Sequence, residues 1–175
     1  MARIVADTSA LVSLGVVADA DPNPLDHLLE SHAFLVPERV VDELSETAAY
    51  DDPSGVAAAA VLDRRDAVDV RSMSLDETFP LDDGENAAVT LANDVGASQL
   101  LCDEFDRLGL VHASLVETRL VTTPIVLVAL VRNDVLAPET AADVLATMSD
   151  ARSWSNNAYV ARANATLRRK REQRR

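Results

Sequence analysis

Arg3-Ile4-Val5-Ala6-Asp7 and Gln99-Leu100-Leu101-Cys102-Asp103 are two short apolar runs that each end on an aspartate and pass straight into a helix-like pattern. Apolar without alternation, they read as strands buried on both faces. In an open α/β sheet, groups at the carboxyl ends of parallel strands collect along one edge, and a site forms where the strand order reverses. Asp7 and Asp103, 96 positions apart, are therefore candidates for one shared site.

Outward from these runs, strand and helix alternate with no repeat and no long linker. Thr8 and Ser9 can cap a helix over 10–18, and residues 19–24 form a turn before a short amphipathic helix through Leu25, Leu28 and Leu29. Residues 33–36 read as a strand. Pro37 takes the first position of a helix to about Ala48, where its missing N–H would be unpaired anyway. Asp52-Pro53 opens an Ala-rich helix to about Arg65, and a strand follows over 67–71. Leu81-Asp82-Asp83-Gly84 leads into a helix over 85–95, with Ala88, Leu91, Ala92 and Val95 at helical spacing and Gly96 ending it. Strands over 98–102 and 118–121 and helices over 104–114, 124–133 and 139–151 follow. A last helix from Asn157 loses its apolar face to an Arg run, so residues beyond about 167 are expected to be frayed. The expected fold class is α/β: a three-layer sandwich with a central parallel sheet of four to five strands flanked by helices. Residues 1–155 form the domain, and 156–175 a C-terminal helix with a basic, disordered tail.

Composition narrows the function classes. At 175 residues the chain is most simply one domain. No apolar run approaches the ~18–20 residues that span a bilayer, and Met1 leads almost directly into the first strand, so the expectation is a cytoplasmic protein without membrane contact. One cysteine, Cys102, rules out an intramolecular disulfide framework and a Cys-rich zinc site. The chain holds 19 Asp and 10 Glu against 15 Arg and one Lys. Seven of those cations lie from Arg162 onward, leaving residues 1–161 with a net charge of −19. Such a body repels nucleic acid in dilute buffer, but at molar salt the Debye length falls to ~3 Å and the repulsion largely vanishes. An Asp-rich, almost lysine-free surface points to a halophilic, salt-accumulating source.

Two more acids are placed to join the strand-end pair. Glu43 lies on or beside the apolar stripe of its helix, between Val41 and Leu44. Glu85 follows Gly84 in the first helical turn, where the macrodipole favours an anion. The ordered set resembles the PIN-domain nucleases: Asp7 in Val5-Ala6-Asp7-Thr8-Ser9, Glu43 in Val40-Val41-Asp42-Glu43-Leu44, Glu85 in Leu81-Asp82-Asp83-Gly84-Glu85, and Asp103 in Leu100-Leu101-Cys102-Asp103-Glu104. The resemblance covers roughly residues 3–136. The Asp-x-Gly-Glu form of the third motif is similar to a VapC-toxin-like subgroup, which includes ribonucleases of toxin–antitoxin pairs.

What the resemblance implies is hydrolysis of RNA phosphodiester bonds by an endoribonuclease that uses Mg²⁺ or Mn²⁺, with Asp7, Glu43, Glu85 and Asp103 as catalytic and metal-binding residues. Asp7 and Asp103 would bind metal directly, and Glu43 and Glu85 would act through water. Thr8 or Ser9 would position that water, and Asp106 would be an extra acid one turn beyond Asp103. The implied partners are RNA, an antitoxin protein and a second copy in a homodimer. Relatives commonly have Thr or Ser where Cys102 stands, and a thiol is a poorer donor.

Each feature also has a plainer reading. Asp7 and Asp103 could be helix caps, and Glu43 a solvated charge. Asp42, Glu46, Asp82 and Glu104 are surface charges by default, and the basic tail could bind RNA or simply solubilise the chain. The first rival function is a non-catalytic PIN-like module that binds RNA or protein. A phosphoacceptor domain generally needs a lysine beside the phosphate, and residues 1–169 contain none. A dinucleotide site lacks the Gly-rich turn it needs after the first strand.

Overall fold

Short apolar runs punctuated by Asn, Asp, Pro and Gly set the elements. In the computed structural model, which describes residues 1–175, five strands are β1 (Arg3–Ala6), β2 (Ala33–Pro37), β3 (Asp69–Arg71), β4 (Gln99–Leu101) and β5 (Arg119–Val121). They form one sheet in the order β3-β2-β1-β4-β5, every pair parallel. The chain goes from β1 to β2 and β3 on one side, then returns to place β4 and β5 on the other. The order thus reverses between β1 and β4, the expected crevice position.

Nine helices cover the sheet: α1 (Thr8–Val16), α2 (Pro24–Ser31), α3 (Glu38–Ala48), α4 (Pro53–Leu62), α5 (Asp83–Val95), α6 (Leu108–Ser114), α7 (Thr123–Arg132), α8 (Pro138–Arg152) and α9 (Ala158–Gln173). Successive strand residues point to opposite faces. Ile4, Ala6, Phe34, Val36 and Leu101 accordingly pack into a core with α1–α4 and α7–α9, while Val5, Leu35 and Leu100 pack against α5 and α6. The result is the three-layer α/β sandwich. No helix is long and apolar enough to cross a membrane.

Local chemistry explains the element ends. Asn23 and Asp52 cap α2 and α4 with their side chains, and Gly96 closes α5 at φ 59°, a left-handed conformation that its missing Cβ permits. Gly15 lets α1 approach α4, because a Cβ there would collide with the Ala57 carbonyl.

Two expectations are corrected. Pro37 ends β2 and serves as the N-cap of α3 instead of its first residue. The C-terminal segment does not fray after Leu167: α9 runs to Gln173, with Val160, Ala163 and Leu167 buried in the main core. Its Arg run finds acids on neighbouring segments, Arg171 with Glu139 at 3.6 Å and Arg174 with Asp134 at 3.0 Å.

Candidate active site

The carboxyl ends of β1 and β4 open into a cleft of about 240 Å³ lined by Asp7, Thr8, Ser9, Glu43, Asp82, Glu85, Glu104 and Arg152, among others. Asp7 follows β1 and occupies the N-cap position of α1, yet its side chain caps nothing. That removes the plain capping explanation for it. Asp7 Oδ2 accepts from Ser9 Oγ at 3.0 Å and faces Cys102 Sγ at 3.6 Å. Ser9 Oγ also accepts from the Asp103 N–H at 2.9 Å, so one hydroxyl ties the two strand ends together.

Asp7 is only 4 % exposed, and burial pushes its carboxyl from 3.8 to about 7 despite the Ser9 hydrogen bond. The same burial pushes the Cys102 thiol up, with the nearby Asp7 charge acting in the same direction.

Glu43 reaches the cleft from α3 and accepts a hydrogen bond from Thr8 Oγ1, with Arg39 Nε 3.6 Å from its other oxygen. Burial holds its carboxyl above the ordinary value, against the effect of Thr8. Gly84 makes this approach possible. A Cβ there would collide with both Glu43 carboxylate oxygens. The Asp-x-Gly-Glu motif thus brings Glu43 of one helix beside the first turn of another.

Glu85 belongs to a capping box in which Asp82 Oδ1 accepts from the Glu85 N–H at 2.8 Å while Glu85 Oε2 faces the Asp82 N–H at 3.4 Å. Arg107 Nε lies 2.8 Å from Oε1 and 2.9 Å from Oε2, but its N–H is aimed at Oε2. Glu85 Oε1 is left buried without a hydrogen-bond donor.

Asp103 differs from the other three predicted acids in what its oxygens bond. It is buried beside the cleft but does not line it, and both its oxygens are committed to α7: Oδ1 accepts from the Thr123 N–H at 2.8 Å and Oδ2 from Thr123 Oγ1 at 2.6 Å. Burial raises its carboxyl and the Thr123 bonds oppose that rise. Asp103 therefore clamps the first turn of α7 to the end of β4. The acid that faces the cleft from this segment is the next residue, Glu104, exposed at the rim. Its carboxyl is held above the usual range by partial desolvation and by the charge of Glu85. Asp106 sits exposed in the single 3₁₀ turn Phe105–Arg107, away from the cleft lining.

Three charged lining residues escape sequence reasoning. Asp82 and Glu104 read as surface charges, and Arg152, the last residue of α8, carries no motif. Arg152 is the one basic residue lining the cleft, and its buried Nε has no hydrogen-bond partner. It moderates the acids, lowering the carboxyls of Asp103 and Glu104 through its charge. The backbone then ends α8 at Ser153, in the left-handed region at φ 56°.

As they stand, no three of the acidic, histidine or cysteine side chains are grouped closely enough to hold a metal ion. The donor chemistry nonetheless fits a hard divalent cation. All candidate ligands are oxygens, Asp7 is a buried carboxyl without a cationic partner, and Glu85 Oε1, ion-paired with Arg107 but without a directed N–H donor, keeps acceptor capacity to spare. Among known proteins, residues 3–169 match the family described as a PIN domain. No curated protein matches the chain.

Proposed function

The chain belongs to the PIN-domain family, a nuclease-type family, and on that premise we propose that it is a metal-dependent endoribonuclease hydrolysing RNA phosphodiester bonds. One observation carries the reading. Asp7, Glu43 and Glu85 come from three distant segments and line a single cleft at the sheet's switch point, with Asp7 serving no capping role there.

Asp7, Glu43, Glu85 and Glu104 would hold Mg²⁺ or Mn²⁺, and Asp103 would act from behind by fixing the β4 end that carries Glu104. When bound, the cation supplies the charge that makes water nucleophilic near neutral pH and offsets charge building on the phosphate. Thr8 orients Glu43, and Ser9 holds Asp7 in register with the Asp103 backbone. Arg152 offers the substrate phosphate a guanidinium that no carboxylate inside the cleft has claimed. Arg107 keeps Glu85 compensated while no cation is present.

The finer role is that of a toxin-like ribonuclease, supported by the Asp82-Asp83-Gly84-Glu85 form of the motif. An antitoxin and a homodimer belong to that reading, and a small protein co-purifying from the native host tests it. The rival non-catalytic module draws on two observations, the commitment of Asp103 to Thr123 and of Glu85 to Arg107. Incubating single-stranded RNA with wild type and Asp7→Asn in molar KCl with Mn²⁺ separates the two. Cutting by wild type alone supports the enzyme; Mn²⁺-independent RNA binding without cutting supports the module.

A further inference from the structure

A second hollow lies across an aromatic partition from the acidic cleft. It sits at the end of β5 between α6, α7 and α9, with a volume of about 370 Å³, within the size range of small-ligand sites. Leu108, Leu120 and Ile125 give it an apolar lining, while Tyr159 and Arg162 supply its functional groups. Thr122 is 4 % exposed and its hydroxyl has no hydrogen-bond partner, although neighbouring Thr123 is fully engaged by Asp103. That hydroxyl is itself closed off from solvent, so Thr122 forms part of the wall of the hollow and offers no group to a ligand there.

Tyr159 is 36 % exposed and stacks on Phe105, centroids 5.3 Å apart and planes at 24°. Phe105 in turn meets Trp154 edge-on at 5.2 Å. Arg162 follows Tyr159 by three positions, on the same side of α9, and is exposed without an ion pair. The aromatic series links the two concavities. Phe105 directly follows cleft-lining Glu104, and Trp154 comes two residues after cleft-lining Arg152.

We infer that this hollow binds one nucleotide of the RNA strand whose neighbouring phosphate occupies the acidic cleft. The exposed Tyr159 ring supplies a stacking surface for the base, and the Arg162 guanidinium meets the phosphate. Naming the ligand as part of an RNA strand rests on the nuclease reading above; the chemistry of the hollow does not.

Trp154 is the only tryptophan of the chain, and its contact with Phe105 makes its emission a reporter of this site. The test is to titrate the full chain, without metal and with EDTA, with the four nucleoside 5′-monophosphates. The expected result is a saturable change in Trp154 emission for at least one of them, weakened roughly tenfold or more by Tyr159→Ala, the loss of one stacking contact. Arg162→Ala should weaken the monophosphate but leave the corresponding nucleoside unaffected. Tyr159→Leu, which keeps apolar cover over Phe105, controls for a folding defect and should behave as Tyr159→Ala. No saturable change with any nucleotide, or a change that survives both Tyr159 variants, overturns the inference. Because no cleavage is needed, a protein that binds nucleotide here but never cuts RNA would keep this site and lose the nuclease reading.

Discussion

Replacing Asp7 by Asn should stabilise the metal-free protein, and increasingly so as the pH rises. The carboxyl lies at about 7 in the folded chain against its ordinary 3.8. At roughly 1.4 kcal/mol per pH unit, holding that charge in the fold above pH 7 costs about 4 kcal/mol. The sign follows from the direction. A folded value above the unfolded one favours the protonated form, so this stability is fully present below 3.8 and is lost as pH climbs to about 7. An amide never titrates, so the variant escapes the loss. Its weaker hydrogen bonds to Ser9 and Cys102 are a pH-independent offset, and the change in the gap with pH cancels them. Between about pH 5 and about pH 8 the advantage of Asp7→Asn should grow by roughly 2–3 kcal/mol, or about 5–10 °C in melting temperature. Urea and thermal unfolding in EDTA, with both proteins at both pH values, measure it. Adding Mn²⁺ should then reverse the order by stabilising wild type alone. An advantage that stays flat or shrinks with rising pH would refute the assignment of Asp7 as a buried, uncompensated carboxylate.

Other perturbations probe the surrounding parts. Gly84→Ala should push Glu43 out of place and lower Mn²⁺ affinity by about 10–100-fold while leaving the far-ultraviolet circular dichroism unchanged, as read by calorimetry. Asp103→Ala and Thr123→Val should each cost about 1–3 kcal/mol of unfolding free energy, and the double variant should cost far less than their sum, since both break one clamp. Cys102→Ser places a better donor against Asp7 Oδ2, so it should favour the charged form and add about 0.5–1.5 kcal/mol at about pH 8 but little at about pH 5.

The strands are legible in sequence because buried parallel strands leave short apolar runs and because turns carry Gly, Pro and Asn at fixed places, whereas the strand order is set by long-range pairing that no local pattern marks. Asp7, Glu43 and Glu85 are legible for a related reason: each sits a fixed distance from an element end that the pattern marks. Asp103 and Glu104 are harder. One step along an extended segment turns a side chain to the other side, and motif spacing does not say which of two adjacent acids faces the cleft. Arg152 arrives by tertiary packing of α8 alone, with nothing local to mark it. The length of α9 is hidden for the same reason, because Glu139 and Asp134, which receive its arginines, belong to distant segments.

The most direct test of the central claim combines Mn²⁺ titration by calorimetry with cleavage of an end-labelled single-stranded RNA in molar KCl, using wild type, Asp7→Asn and Glu104→Gln. A metal-dependent nuclease centre in this cleft requires that wild type binds Mn²⁺ and cuts only in its presence, and that both variants lose metal affinity and cutting together. Wild type that binds no Mn²⁺ and leaves the RNA intact, or an Asp7→Asn protein that still cuts, would contradict it.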